Sequence, residues 1–557
     1  MSAALPRPSL LLAAVLASAC TGDLGGGPAG PSGSSPRPGP GGPGEPVACD
    51  TGIPQVAPAP LRRLTPLQYR NTVRDLLGDP GYTPNVDDEA PVITERGVRQ
   101  LRDAAELAIA RRSSWSREIF PCDTSGAAND ACASEFIDTF GARAFRRPLD
   151  DDDRSALLDA YRNALANDLT FGEAMEIVLE VILQSPEVVY FEEHGAPGAT
   201  DATRPLSQYE VASRLSYFLW NTTPDDTLLG AARDGSLDAA GLRAQAERLL
   251  DDPRAEETLQ SFFWEWLQLG GGRLHHALES TSKDETLYPE YDAELQAAMR
   301  TELEALVRDT FARGGSFEDL LTTRRAYVNG PLAAVYGVDG PTSADDWQWV
   351  ELDPTQRAGL LTRAAFLTVF SSATVQSPIR RGVFVVEEVF CVELGTPPPN
   401  ASDVVVDGGD DGDGLRTVRQ DVTARTTSGT CSSCHSLINP VGFAFEHYDG
   451  IGRHRTEELT TGLPLDASGV VAGTDVDGAV RDAVELSTRI ATSARARACF
   501  SNRWLERALG RVPARLDTCS MERISERFRE SGSMRELVLA IVESDAFRYV
   551  NVGEVTP

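Results

Sequence analysis

The sequence is poor in lysine: of its 52 basic side chains only Lys283 is a lysine, and the rest are arginine. Basic charge is short overall, because 83 acidic residues leave a formal net charge of −31. That balance excludes a nucleic-acid-binding face, which needs phosphate-neutralising cations, and a polybasic membrane-surface segment. The arginine bias reads as codon usage in a GC-rich genome and not as an arginine-built binding surface. Long hydrophobic runs are missing too. The apolar stretch 10–16 is far too short to span a bilayer as a helix, and no other stretch approaches that length. Strand signals are few and short. No Ser-His-Asp, zinc-hydrolase or phosphate-loop pattern stands out, and acidic pairs are too common to mark a general acid or base. With six histidines and five methionines, the choice of metal ligands is narrow.

What remains is a chain of 557 residues, 41% hydrophobic and 24% charged. That composition belongs to a soluble globular protein with several domains. Its start reads as an export signal. Arg7 supplies the charge, 10–16 the apolar core, and Ala17, Ser18 and Ala19 precede Cys20. The small residues ending in cysteine predict a lipoprotein-type signal peptide over 1–20 with lipidation of Cys20; plain cleavage and secretion is the alternative. A Gly/Pro/Ser-rich linker at 21–48 follows, a flexible spacer suited to a tether. The predicted location is the cell envelope, periplasm or outer membrane, touched only through the lipid anchor. There the remaining cysteines meet an oxidising compartment.

The body reads mainly as helix. Thr65, Pro66 and Gln68 form a capping-box start, followed by helical spacing to Leu77 and a stop at Gly78; Ser207 and Glu210 repeat the box. Further helical windows fall at 132–145, 153–166, 172–184, 238–250, 254–268, 286–313, 355–370 and 379–391, then at 480–491, 496–509 and 534–548. The Asp/Gly cluster at 407–414 lacks calcium-loop spacing and reads as a solvated loop. Residues 462–478 read as a small hairpin or loop.

One motif carries chemistry. Cys431-Ser432-Ser433-Cys434-His435 is C-x-x-C-H, the attachment pattern of c-type haem. On one helical turn the two thiols reach the two vinyl groups of a porphyrin, and the following imidazole ligates the iron from the proximal side. Random placement of these residues gives the pattern about once in a thousand sequences. A thioredoxin-like pair would need a preceding strand in a βαβ unit, which is missing. A zinc site could recruit His447 and His454, and a Cys431–Cys434 disulfide is a third alternative. The distal ligand is open. His447 and His454 lie close in sequence, and Met521 and Met534 are the other candidates beside Met175 and Met299. His194, His275 and His276 read as ordinary surface residues.

The segment CSSCHSLINPVGFAFEHYDGIGRHR (431–455) resembles C-x-x-C-H-x-x-M-D-P-I-G-F-A-L-E-x-F-D-x-x-G-x-x-R, the signature of a bacterial cytochrome c-like multidomain family. Its modules are domains of unknown function catalogued as the 1587, 1595, 1592, 1588 and 1585 series. LRRLTPLQYRNTVRDLLG, FGARAFRRPL, RPLSQYEVASRLSYFLWNTTPDDTLL, YVNGPLAAVYGV, RAGLLTRAAFLTVFSS, SPIRRG and CFSNRWLERALGR resemble further parts of it, in order. The resemblance implies modules at 49–125, 126–195, 200–345, 350–456 (the haem-bearing one) and 475–552. The implied fold is mainly α, with helical modules, a cytochrome c-like haem-binding module and few short strands. Ile438 and Asn439 depart from the usual methionine and aspartate. Relatives often carry a histidine shortly before the motif, where this chain has Ala424-Arg425-Thr426-Thr427.

Within this frame six cysteines are left for disulfides. Cys122–Cys132 and Cys499–Cys519 are the pairs closest in sequence, which leaves Cys49–Cys391, although six cysteines allow fifteen connectivities. Arg380 and Arg381 could pair with haem propionates or with local groups. The preferred expectation is an exported protein with one covalent haem c that transfers electrons at the envelope to a partner redox protein. The rivals are a peroxidase-like or polymer-oxidising haem enzyme with an open distal site, and a non-redox binding scaffold.

Overall fold

The computed structural model describes Cys49 and residues 52–553, other than 89, 91, 273–274, 396–408, 411–414 and 428–430. The expected signal peptide with Cys20, the 21–48 linker and most of the Asp/Gly cluster at 407–414 lie outside the described residues. The fold is mainly α, and strands occur among the described residues only as short two-stranded antiparallel pairs.

Local chemistry starts many helices. The Thr65 side chain accepts from the Gln68 N–H at 3.1 Å, and the Gln68 side chain accepts from the Thr65 N–H at 3.1 Å, opening the helix Pro66–Leu77. Ser207 and Glu210 open Gln208–Trp220 in the same reciprocal way. Each such cap is worth about 1 kcal/mol.

Tertiary demands change other windows. The expected helix at 286–313 begins only at Ala293, where Asp292 accepts the Leu295 N–H at 2.9 Å. Upstream, Asp284 holds the N–H groups of Thr286 and Leu287 in a turn. The expected helix at 355–370 splits into a 3₁₀ turn, Leu360–Thr362, and a short helix, Ala364–Val369. Thr362 Oγ1 accepts the Ala358 N–H at 2.9 Å there, and Arg357 donates to the Thr362 carbonyl at 2.8 Å. The helices Glu95–Ala110, Val418–Thr426 and Thr518–Ser531 had no window in the sequence reading.

Two apolar cores result. The first collects residues from Leu64 to Phe191, with Phe171, Ala174, Met175, Val178, Leu179, Ile182 and Leu183 as one buried helical stripe. Burying each large member of that stripe contributes about 1.5–3 kcal/mol. The second core runs from Leu206 to Val550 and takes in Val441, Ala444, Phe445 and Tyr448, which follow the C-x-x-C-H turn. The strand Thr203–Pro205 pairs with Tyr549–Asn551, so both ends of this second region close on each other.

The disulfides differ from the expected set. Cys122 is bonded to Cys132, but Cys49 joins Cys519 and Cys391 joins Cys499, in place of Cys499–Cys519 and Cys49–Cys391. Long-range docking decides this. Ala57 donates to Asp517 at 3.1 Å and accepts from Arg511 at 3.2 Å, while Asn551 donates to the Val56 carbonyl at 2.9 Å. These contacts lay the segment before Leu64 onto the C-terminal helices beside Cys519. The buried face of Ala494–Leu509 carries Cys499 toward 387–391, where Arg495 donates to the Phe390 carbonyl at 2.8 Å and Arg503 to the Glu387 carbonyl at 3.2 Å. The three bonds fit an oxidising compartment. No helix among the described residues is long and apolar enough to cross a membrane. Non-reducing peptide mapping is expected to recover 49–519, 122–132 and 391–499 cross-links; a 499–519 or 49–391 peptide would overturn this arrangement.

Candidate functional site

The C-x-x-C-H turn opens the helix Cys431–Gly442. That helix packs chiefly against Pro378–Phe384, the strand Gly469–Val471 and the helix Val418–Thr426. Two glycines make the first of these contacts close. A Cβ on Gly382 would lie 2.3 Å from the Ile438 carbonyl oxygen, and one on Gly442 would lie 1.9 Å from that of Pro378. Only hydrogen fits at either crossing point. The helix buries Ile438, Asn439, Val441 and Gly442 at its C-terminal end. Its first turn stays at the surface, with Cys431 exposed and Cys434 and His435 half-buried.

Both thiols are free of disulfide bonds. Cys434 Sγ lies 3.2 Å from the Leu394 carbonyl and donates to it. His435 Nδ1 lies 2.8 Å from Asn439 Oδ1, one helical turn on. Asn439 Nδ2 donates to Thr426 Oγ1 at 2.7 Å, and that hydroxyl donates to the Val422 carbonyl at 2.6 Å. Beside this chain lies a small apolar cluster of Val375, Val418, Val422 and Phe443, separate from the main cores. Two free thiols three residues apart, followed by an imidazole held through Nδ1, are a donor set that fits haem c, with Nε2 left for iron. Neither Asn439 nor Thr426 was assigned a role from sequence. The His435-to-Asn439 spacing of four on a helix was the available signal.

The other candidates fall elsewhere. Arg381 is fully buried and gives its guanidinium to the carbonyls of Leu367, Phe445, Tyr448 and Asp449 and to Ser371 Oγ, all within 2.9–3.0 Å. It is a clamp on backbone and not a propionate partner, because its terminal nitrogens are already committed. Arg380 is half-buried, and its guanidinium donates to the Ser371 carbonyl at 3.0 Å. Met534 is buried in the second core and Met521 packs against it from its edge. Their helices, Met534–Glu543 and Thr518–Ser531, pack on each other, the first also on Ala239–Leu250 and the second on Ala494–Leu509. His447 and His454 come together, with ring centroids 5.3 Å apart. Burial lowers the affinity of both for protons. His454, with His447 and then Arg357 adding repulsion, is pulled down to about 4, so its ring is neutral at pH 7. Among the described residues no hydrogen bond or ring contact joins either to His435.

The acidic and basic residues after the turn build a buried network. Gln376 Nε2 donates to Glu446 at 3.2 Å, Arg455 donates to Gln376 and, at 2.6 Å, to Glu458, and Glu458 accepts the Val418 N–H at 3.2 Å. Asp449 accepts the N–H groups of Ile451 and Arg453 at 2.9 Å and the Arg453 guanidinium at 2.7 Å. Most of the recognisable signature after His435 therefore holds the segment's shape.

Four parts of the chain match families described as proteins of unknown function: residues 132–193 (DUF1595), 206–338 (DUF1592), 357–458 (DUF1588) and 477–547 (DUF1585). No curated protein and no solved structure gives a match.

Glu446 generates a pH prediction. It is fully buried, and burial first and Glu458 second push its carboxyl up to about 7, against the pull of Arg455 and Arg381. Its folded-state affinity for a proton thus exceeds the unfolded one. The stability it contributes at low pH is lost as pH rises through 7. The expected outcome is an unfolding free energy that falls by about 2.5 kcal/mol between about pH 5 and about pH 8.5 on this account, with Glu446→Gln removing that slope. Parallel denaturation profiles for the two proteins would show that Glu446 does not titrate in this way.

Proposed function

The chain belongs to the multidomain cytochrome c-like family built of these modules, and from that premise we propose that it carries one covalent haem c and transfers single electrons at the cell envelope. The observation that supports this reading is the pairing of two free thiols with an imidazole whose Nδ1 is occupied, on one exposed turn. Cys431 and Cys434 would tether the porphyrin, and His435 would ligate its iron through Nε2. When bound, haem c supplies reversible one-electron chemistry.

The chain's own residues support transfer to another protein. The turn sits at the surface, with Cys431 exposed, so a partner can approach its edge. Its sequence neighbours at the surface carry hydroxyls, on Ser432, Ser433 and Ser436. The strongly perturbed carboxyl, Glu446, is turned inward into the Gln376–Arg455 network. His454, held uncharged by burial, keeps a lone pair available as a distal ligand in the same module, with His447 beside it. Arg380, half-buried beside the module, would be the arginine for the propionates. Lipidation of Cys20 would hold the molecule at the membrane surface where a redox partner docks.

Matured in a host competent for c-type cytochromes, the protein is expected to give a pyridine haemochrome of one thioether-bound haem per chain. The double variant Cys431→Ala, Cys434→Ala is expected to hold none after acid–acetone extraction. A low-spin spectrum unmoved by carbon monoxide fits electron transfer, and rapid carbon monoxide binding would instead mark an open distal site. Wild-type protein without thioether-bound haem would sink the proposal.

A further inference from the structure

Resting on the haem reading, we propose that Asn439 and Thr426 are positioning residues that select the tautomer of His435, fix its ring plane and hold down its donor strength toward iron.

The hydrogen-bond chain can be read in one direction only. The Thr426 hydroxyl has one proton, and it goes to the Val422 carbonyl at 2.6 Å. Its oxygen is then an acceptor, so the amide nitrogen of Asn439 must face it, at 2.7 Å. That orientation turns Asn439 Oδ1 toward His435 Nδ1, at 2.8 Å. An amide oxygen has no proton to give, so Nδ1 must carry the N–H, and the lone pair of the neutral ring is left on Nε2. The assignment thus starts from a backbone carbonyl and passes through two side chains that are each at most 6% exposed. Burial shields the chain from competing water. Its anchor is on a different helix from His435, so the ring is fixed relative to Val418–Thr426 as well as to its own helix.

The identity of the acceptor has a second consequence. A carboxylate at 439 would pull the Nδ1 proton harder and give the ring imidazolate character, stabilising ferric iron. A neutral amide does so less. Asn439 thereby favours the reduced state relative to an aspartate in the same place.

The test compares holoprotein variants by spectroelectrochemical titration and by the g-anisotropy of the ferric haem, with haem content checked by pyridine haemochrome. Asn439→Asp is expected to lower the reduction potential so that the reduced-to-oxidised ratio at fixed potential falls about tenfold, 59 mV for one electron. Thr426→Val removes the acceptor that orients the amide and is expected to raise the potential and broaden the g-values; Thr426→Ser keeps the hydroxyl and is expected to restore both. Should Thr426→Val fail to fold, the Asn439→Asp and Thr426→Ser pair still decides the matter. Full haem loading with potentials and g-values equal across the set overturns the positioning role alone. Wild-type protein lacking thioether haem overturns the haem reading and this inference with it.

Discussion

Arg381 gives its guanidinium to four backbone carbonyls and one hydroxyl, and the seating of residues 445–449 on the helical body depends on it. Three of those carbonyls, of Phe445, Tyr448 and Asp449, follow the C-x-x-C-H helix, and the fourth, of Leu367, belongs to the helix Ala364–Val369. A hydrogen bond from a charged donor to such a buried carbonyl contributes about 1.5–3 kcal/mol. Two more fully buried arginines do related work nearby. Arg357 lies between the rings of Tyr336 and Tyr448, at 4.8 and 4.9 Å, and donates to the carbonyls of Thr362 and Gly452. Arg363 pairs with buried Glu302 at 3.3 Å and donates to the carbonyls of Thr323 and Arg325. A planar fork with five donors suits this task, and a lysine with three does not. The one lysine makes a smaller version of the same contact, donating to the carbonyls of Thr368 and Ser372, where burial, then Arg381 and Arg380, draw its pKa down to about 7.

This clamp explains why the site needs so much surrounding helix. The C-x-x-C-H helix contributes only four residues of buried surface, and its first turn is open. Its position comes from what lies beneath it. The glycine crossings at Gly382 and Gly442 bring Pro378–Phe384 into backbone contact, and Arg381 on that same short helix reaches across to 445–449. Arg357 then ties the segment to Tyr336, at the end of the 206–338 region. Most buried apolar residues from 206 to 550 share one core, with Val375, Val418, Val422 and Phe443 set apart from it.

The parts legible in sequence were those written in local chemistry. The capping boxes at Thr65 and Ser207 need only four consecutive residues, and the C-x-x-C-H turn needs five. What was not legible depends on residues far apart. Cys499 and Cys519 are near in sequence, but they lie on faces turned to different neighbours, one toward Phe390 and the other toward the segment before Leu64. Arg381 looked like a ligand-binding arginine because sequence shows a charge and not the carbonyls that consume it. The helix Val418–Thr426 has almost no amphipathic pattern to announce it, and its role appears only through Thr426.

The orientation of His435 and the support of its helix rest on separate sets of contacts. Support runs through Pro378–Phe384, Arg381 and the large core. Orientation runs through Asn439 and Thr426 to the Val422 carbonyl, on a helix held mainly by a small satellite cluster. The two sets meet in the Cys431–Gly442 helix, at Ile379 of the Pro378–Phe384 helix, which packs on the satellite cluster, and through Glu458, which accepts the first helical N–H of Val418 while bonded to Arg455. The buried network after the turn therefore reaches the imidazole by way of the Val418–Thr426 helix and not through the ring's own neighbours. Support and orientation are thus joined by hydrogen bonds as well as by packing: the Arg455–Glu458 pair ends on the N–H that opens the helix carrying Thr426.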